Sequence, residues 1–443
     1  MSDPLLRQPD STVSGLFGIL AAIVAALGVT GARADEAVGV TSHVLGDWAG
    51  LRTRLADRGL SFQLEYGGQI AHNFSGGVDH LTRYADQWTF GLSADTQRLW
   101  GWEGGTLQAT LTNRNGRNLG ADAKIGNSML VQEIYGRGQT WHLTQFWLNQ
   151  SLLSDSLQIK LGRLTVGEDF ASFPCDFQNL TFCGSQPGNL VSSYWINWPT
   201  SQWAMRVKYQ HRETYAQLGA YQVNPRYVDD SYARRSGWKL DNPNGTTGTL
   251  LPVEFGWLPM LGGRPGSYKV GAWYDSSRAT DLYLDVNHRP RGTTGLAPLE
   301  HRGRYGGYAS FRQQVTGTDG GRGTSVFLNF SQADRHFSLL DRQIAIGLTY
   351  QGPFDRARDA IGLAAGATRS NGRFADFVRE ENARKGERRI AGDGNEYAVE
   401  LYYSWTPMSG IFLRPNLQYV VHPGGTSQNR NAFVMGLKSG VSF

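Results

Sequence analysis

From residue 60 onward, side-chain character repeats every second residue in one run after another, and this two-residue period constrains the chain more than any other feature. Over 87–95, Trp88, Phe90, Leu92 and Ala94 share one face, while Gln87, Thr89, Gly91, Ser93 and Asp95 share the other. The same alternation sets Ile344, Ile346, Leu348 and Tyr350 against Gln343, Ala345, Gly347 and Thr349. About sixteen such runs begin near residues 62, 86, 105, 141, 157, 203, 214, 252, 266, 305, 323, 342, 359, 396, 411 and 431, the one at 252 being weak. An even number of two-faced strands is what a closed bacterial barrel needs.

The connections sharpen this. Short links at 97–105, 152–157, 209–214, 258–266, 316–323, 351–359 and 405–411 alternate with longer ones that include 114–140, 164–202, 223–251, 276–304 and 368–395. A propeller or solenoid would repeat a near-constant period instead. A soluble sandwich has no reason to keep its long loops at one end. Trp100, Trp102, Trp257, Phe354 and Trp405 flank the short links, where an interfacial aromatic girdle belongs, and the last strand ends on Phe443. No later segment approaches the roughly 18 consecutive apolar residues of a membrane helix. The predicted fold is all-β: a transmembrane antiparallel barrel of about sixteen strands over 61–443, with a short N-terminal helical segment and an inward-folded loop at 164–202.

The first 34 residues read as a signal peptide. Residues 16–29 form an apolar core too short to span a bilayer, and Ala32-Arg33-Ala34 supplies small residues where a signal peptidase cuts. Export places the mature chain beyond the inner membrane, and with the barrel pattern it gives a bacterial outer-membrane location. Residues 35–60 are expected on the periplasmic side, with a helix of about three turns over 42–59, Asp47 as N-cap and Gly59 at its end. The formal charge of +5 is interspersed, without the basic run of a nucleic-acid binder, so no nucleic-acid partner is expected.

Several segments together resemble the carbohydrate-selective porins of the OprB type. They are LGDWAGLRTRL at 45–55, NFSGG at 73–77, Gly162-Arg163-Leu164 leading into Asp169-Phe170, the Cys175–Cys183 loop, and LRPNLQY at 413–419 with HPGG at 422–425. The resemblance implies a sixteen-stranded outer-membrane barrel that passes glucose and related sugars by diffusion.

Inside such a barrel, the loop at 164–202 is expected to narrow the bore. Its two cysteines, Cys175 and Cys183, are expected to pair once exported. A metal role lacks nearby histidines and a catalytic cysteine lacks a base, so no metal, cofactor or catalytic residue is expected. Trp195 and Trp198, with Asn197 between them, either offer flat faces to sugar rings or pin the loop to the wall. Arg114 continues the polar face of Gln108, Thr110 and Thr112, and its fork is expected in the channel. Arg206 and Lys208 oppose Trp203, Met205, Val207 and Tyr209, and Glu168 and Asp169 are expected to balance these cations across the constriction. Arg312, Glu396, Glu400, Arg414 and Lys438 point inward on the same parity and are expected chiefly to solvate a wet lumen. Arg163 breaks parity and is expected at the rim or after a bulge at Gly162, and 372–395 is expected to be a short outer helix or a solvated face.

The expected function is a water-filled channel for monosaccharides and small saccharides, embedded in outer-membrane lipid as a monomer or homotrimer. A general or weakly anion-selective porin is the alternative. A barrel enzyme finds no support, since nine scattered histidines come without Gly-x-Ser-x-Gly or His-Glu-x-x-His. A soluble lectin-like binder remains as the structural rival.

Overall fold

A computed structural model describes residues 43–318 and 321–443. The expected signal peptide at 1–34, and 35–42 of the N-terminal segment, lie outside the described residues.

Sixteen long strands appear where the two-residue period places them. They are β1 (Leu60–Ser75), β2 (Thr82–Asp95), β3 (Gly105–Gly116), β4 (Trp141–Leu152), β5 (Leu157–Leu164), β6 (Gln202–His211), β7 (Thr214–Val223) and β8 (Gly248–Trp257). Then follow β9 (Arg264–Asp285), β10 (Pro298–Gln314), β11 (Gly323–Ala333), β12 (Leu340–Gln351), β13 (Ala360–Ser370), β14 (Asn395–Met408), β15 (Ile411–Val421) and β16 (Ala432–Ser442). A two-residue stub, Met260–Leu261, sits in the turn between β8 and β9. Every strand pairs antiparallel with its sequence neighbours, and β1 pairs with β16 from Glu65↔Ser442 to Ser75↔Phe433. The sheet therefore closes and leaves no edge.

Alternation decides what each face meets. Leu218, Val253, Phe255, Val270, Leu401, Leu417 and Met435 are exposed on the outer wall, as a lipid-facing belt requires. Their inward neighbours include Thr110, Thr112, Arg114, Arg206, Glu254, Gln343, Glu400, Gln418 and Lys438, all of them buried. The weak run near 252 is a regular strand, β8, with strict alternation of buried and exposed positions. Trp100, Trp102, Trp257, Phe354 and Trp405 are exposed beside the short turns, where an interfacial belt lies. The expected long link at 276–304 is shorter than the sequence suggests, because β9 and β10 continue past the belt as a hairpin.

The N-terminal helix is also shorter than expected. It is α1 (Leu51–Asp57), entered through Gly50 in the left-handed region, and Asp47 accepts from the Thr53 N–H at 2.8 Å without acting as N-cap. Too short to persist alone, it is tied to the barrel's closing strands. Val44 N–H donates to Ser442 O at 2.8 Å, and the Arg52 fork donates to Phe443 O. The 372–395 segment is a helix, α2 (Gly372–Lys385), with Ala375, Val378 and Glu381 buried against the barrel's outer end.

Arg163 sits at the rim with no bulge at Gly162, since both neighbouring registers run through that residue unbroken. Gly162 is nevertheless required. Its φ is +134°, and an added Cβ would lie 2.2 Å from the Phe146 carbonyl oxygen. Gly162→Ala is therefore expected to cost about 1–3 kcal/mol in backbone strain alone. The check is the fraction of barrel that resists unheated SDS, which should fall.

Candidate functional site

The 165–201 loop enters the barrel and runs along its inner wall, held at each stage by strand side chains. As it leaves β5, Asp169 accepts from Lys160 Nζ at 3.1 Å and from Tyr221 Oη at 3.2 Å, and lies 3.7 Å from Arg206. Glu254 on β8 takes the Ala171 N–H at 2.8 Å while also accepting from Tyr215, Gln217 and Tyr308. Lys269 on β9 donates to Ser172 O at 2.7 Å.

The tip then docks on the last strands. Both oxygens of the fully buried Glu400 are used, accepting from Gln178 N–H at 2.8 Å and Asn179 N–H at 2.7 Å. Lys438 donates to Cys175 O at 2.7 Å and Phe177 O at 3.0 Å, and Arg414 donates to Asp176 O. Phe177 fills a pocket made by Phe182, Phe327 and Tyr402. Charged groups in such a dry setting are costly unless paired, so a carboxylate saturated by two loop amides fixes position as well as energy.

A second loop joins it. Within 117–140, Ser128 and Met129 N–H groups donate to Glu396, and Gln132 Nε2 donates to Gln69 O at 2.8 Å. The two loops touch through Glu133 N–H to Gln178 O at 3.0 Å and Leu180 N–H to Leu130 O at 2.8 Å. Glu133 also pairs with Lys438 at 3.0 Å. The sequence gives no periodic signal for this inward fold.

The cysteines are joined, Cys175 to Cys183, within the tip. Closing so small a loop is worth about 2–3 kcal/mol in the chain-entropy model. The strand contacts above hold the tip independently, so C175S/C183S should leave an SDS-resistant barrel. Open-channel current noise should rise as the tip loosens, and noise identical to the parent's would show that the cross-link does not restrain it.

The expected site residues separate into three groups. Arg114 and Trp198 are brought together: Gln87 Oε1 accepts from Arg114 Nε at 2.8 Å and from Trp198 Nε1 at 3.1 Å. Arg114 is buried at 6% exposure, and its Nη1 and Nη2 have no hydrogen-bond partner among the described residues yet keep a little exposed surface. Arg206 and Asp169 form a second group with Lys160. Asp169 thus meets its cations in direct contact on one side, not across the opening. Lys208 lies over the Tyr215 ring at 4.2 Å, and Arg312 has no ion pair or hydrogen bond among the described residues.

The third group holds the loop. Trp195 is 0% exposed, wedged edge-on against Trp273 and Tyr308, and its Nε1 donates to Ser185 Oγ at 3.0 Å. Its faces are covered, so of the two expected roles for Trp195 the geometry fits the one that pins the loop to the wall. Asn197 donates to Ser185 O at 2.9 Å and fits against Gly167 and Gly188, where a Cβ would strike it at 2.3 and 2.4 Å. Glu168 accepts from Gln145 and Thr165, neutral donors, and balances no cation by contact. Burial pushes its carboxyl above the usual range, partly opposed by the nearby Lys160 charge and these donors.

Arg312, Glu396, Glu400, Arg414 and Lys438 turn out to divide the same way. Four of them dock the two loops; the Arg312 side chain has no ion pair or hydrogen bond among the described residues. Gln87, Glu133 and Lys160 were not singled out in the sequence. Gln87 and Lys160 lie on polar faces that alternation exposes, so their parity was a usable signal.

Residues 79–443 match the family described as "Carbohydrate-selective porin, OprB family". The chain is 41% identical to Porin B of Pseudomonas aeruginosa over 98% of its own length and 97% of that protein. It is 32% identical to the putative porin QuiX of Acinetobacter baylyi, over 90% and 93% of the two chains. Among solved structures, that of Pseudomonas putida OprB at high pH superposes with a TM-score of 0.87 at 39% identity, covering 92% of this chain and all of that one.

Proposed function

This chain belongs to the carbohydrate-selective porins of the OprB family, and from that membership we propose how its bore handles sugar. It is an outer-membrane channel for carbohydrates, and a channel rather than an enzyme. In our reading, a sugar passes between the docked loop and the wall of β2 and β3. There Arg114 offers Nη1 and Nη2, which have no partner among the described residues, to neighbouring hydroxyls, and the half-buried Trp198 presents its ring to the C–H face. Gln87 fixes both by accepting from each, so the contact is preformed. Lys208 and Arg312 supply further donors, while Asp169 and Arg206 hold the loop's entry.

The observation that carries this is the pairing pattern. Every acid named above is occupied by loop amides, cations or neutral donors, whereas Arg114 Nη1 and Nη2 and the Arg312 fork have no hydrogen-bond partner among the described residues. Weak, reversible hydrogen bonding to neutral polyols suits such donors, because passage needs a site that a solute also leaves. The same imbalance favours the second reading, a weakly anion-selective general porin.

Ion current through single channels in planar bilayers separates the two. Block by millimolar glucose with a small reversal potential in a salt gradient supports the sugar pathway. A large anion-selective reversal potential with no sugar block supports the other. Each barrel has its own constriction, so we read the conducting unit as the single chain in outer-membrane lipid, whether it stands alone or in a trimer. Residues 1–34 are read as the cleaved signal, so the mature protein should begin at Asp35 on N-terminal sequencing.

A further inference from the structure

The outer wall carries a polar row whose chemistry the channel does not use. Across four adjacent strands at one height stand Gln332, Arg342, Arg369 and Asn395, linked by the registers Gln332↔Arg342, Arg342↔Arg369 and Arg369↔Asn395. The two arginines are direct cross-strand partners. Alternation puts them outside: the intervening Gln343 and Thr368 turn inward and hydrogen-bond each other at 2.9 Å, both buried. Directly beneath the row lies an apolar one, Phe330, Ile344, Ala367 and Tyr397, and beneath that Leu328, Ile346, Ala365 and Val399. The row borders the 334–339 and 371–394 links, at the end of the barrel where the constriction loop enters. It therefore marks the boundary between the outer leaflet's hydrocarbon and its head groups.

Like charges directly opposite each other on a sheet, with Cβ atoms about 5 Å apart, are destabilising. Nearby arginines avoid this by pairing: Arg335 with Asp341 at 2.9 Å and Arg373 with Asp281 at 2.8 Å. Outside the backbone ladder, the Arg342 and Arg369 side chains have no ion pair or hydrogen bond among the described residues. Their forks are partly covered but not sealed. Two guanidinium groups held side by side match one phosphate, each able to donate two parallel N–H bonds. The apolar rows below match acyl chains attached to that phosphate.

We propose that Arg342 and Arg369 form a phosphate clamp for a phosphorylated glycolipid of the outer leaflet, with its acyl chains lying over β11–β14. Gln332 already donates to Ala333 O and Asp341 O, so the arginines carry the recognition and the amides border it. The clamp lies outside the bore, and its loss leaves the sugar pathway in place.

Binding of bisphosphorylated lipid A to the detergent-purified protein, followed by native mass spectrometry, tests this. Lipid A stripped of both phosphates should bind at least about tenfold more weakly, as should bisphosphorylated lipid A to R342Q/R369Q, since a charge-assisted bond is worth at least that factor. R342K/R369K should retain part of the affinity, and glucose block should not change in either variant. Inorganic phosphate should fail to displace the lipid. Equal binding of the dephosphorylated lipid would overturn the proposal and leave two arginines that merely extend into water. So would full binding by R342Q/R369Q, while displacement by inorganic phosphate would reduce the site to a simple anion site. The two-lipid comparison on the unaltered protein holds even if the double variant fails to assemble.

Discussion

Arg114→Ala should weaken glucose block of the ion current by about tenfold, the equivalent of one charge-assisted hydrogen bond. The side chain has one structural bond, from Nε to Gln87, and two terminal nitrogens with no described partner. Losing it therefore removes more from a passing sugar than from the fold. Arg114→Lys should recover only part of the block, because a point charge replaces a fork that spans two hydroxyls. Barrel folding, read as SDS resistance before heating, should match the parent. Gln87→Leu is expected to act in the same direction with a smaller effect, since Arg114 and Trp198 lose their common acceptor but not their positions on the chain. Undiminished block in Arg114→Ala would remove this residue from the sugar path and shift attention to Arg312.

Glu400→Leu should raise single-channel conductance. Glu400 is the only described acceptor for the Gln178 and Asn179 N–H groups, which would then be buried without partners, at about 1–3 kcal/mol each. The tip has other holds: Lys438 on two carbonyls, Arg414 on Asp176, and Phe177 in its aromatic pocket. The expected result is thus a loop that leaves its dock part of the time, seen as a second, larger conductance level. Glu400→Gln keeps one acceptor oxygen and should show that level less often. A single level at the parent conductance in Glu400→Leu would mean that the remaining contacts suffice.

The barrel was legible because alternation is a local property that survives any uncertainty in strand ends. Each expected run has a strand, including the weak one that became β8, and the lipid face of β12 reads directly from Ile344 and Ile346, while Leu348 on the same parity is covered. The site was legible only in part. Parity says that Arg114, Glu400 and Lys438 point inward, but not what covers them, since that depends on loop residues far away in sequence. Glu400 therefore reads as one of several wet-lumen charges, when it is a buried dock for residues 178–179. Trp195 and Trp198 show the same limit. Two aromatics three residues apart give no sign that one meets Trp273 and Tyr308 while the other reaches Gln87. The 117–140 loop was the hardest case, because an aperiodic stretch carries no record of which side of the wall it takes. The helix at 42–59 was overextended for a simpler reason: Trp48, Ala49 and Gly50 all adopt positive φ, so the first turns are not helical.

Swelling of liposomes containing the purified protein tests the central claim most directly, that a docked loop leaves a sugar-preferring gap beside Arg114 and Trp198. Glucose should enter faster than neutral amino acids of similar size, and Arg114→Ala should narrow that difference while keeping the channel open. Rates that follow solute size alone, in the parent and the variant alike, would contradict it.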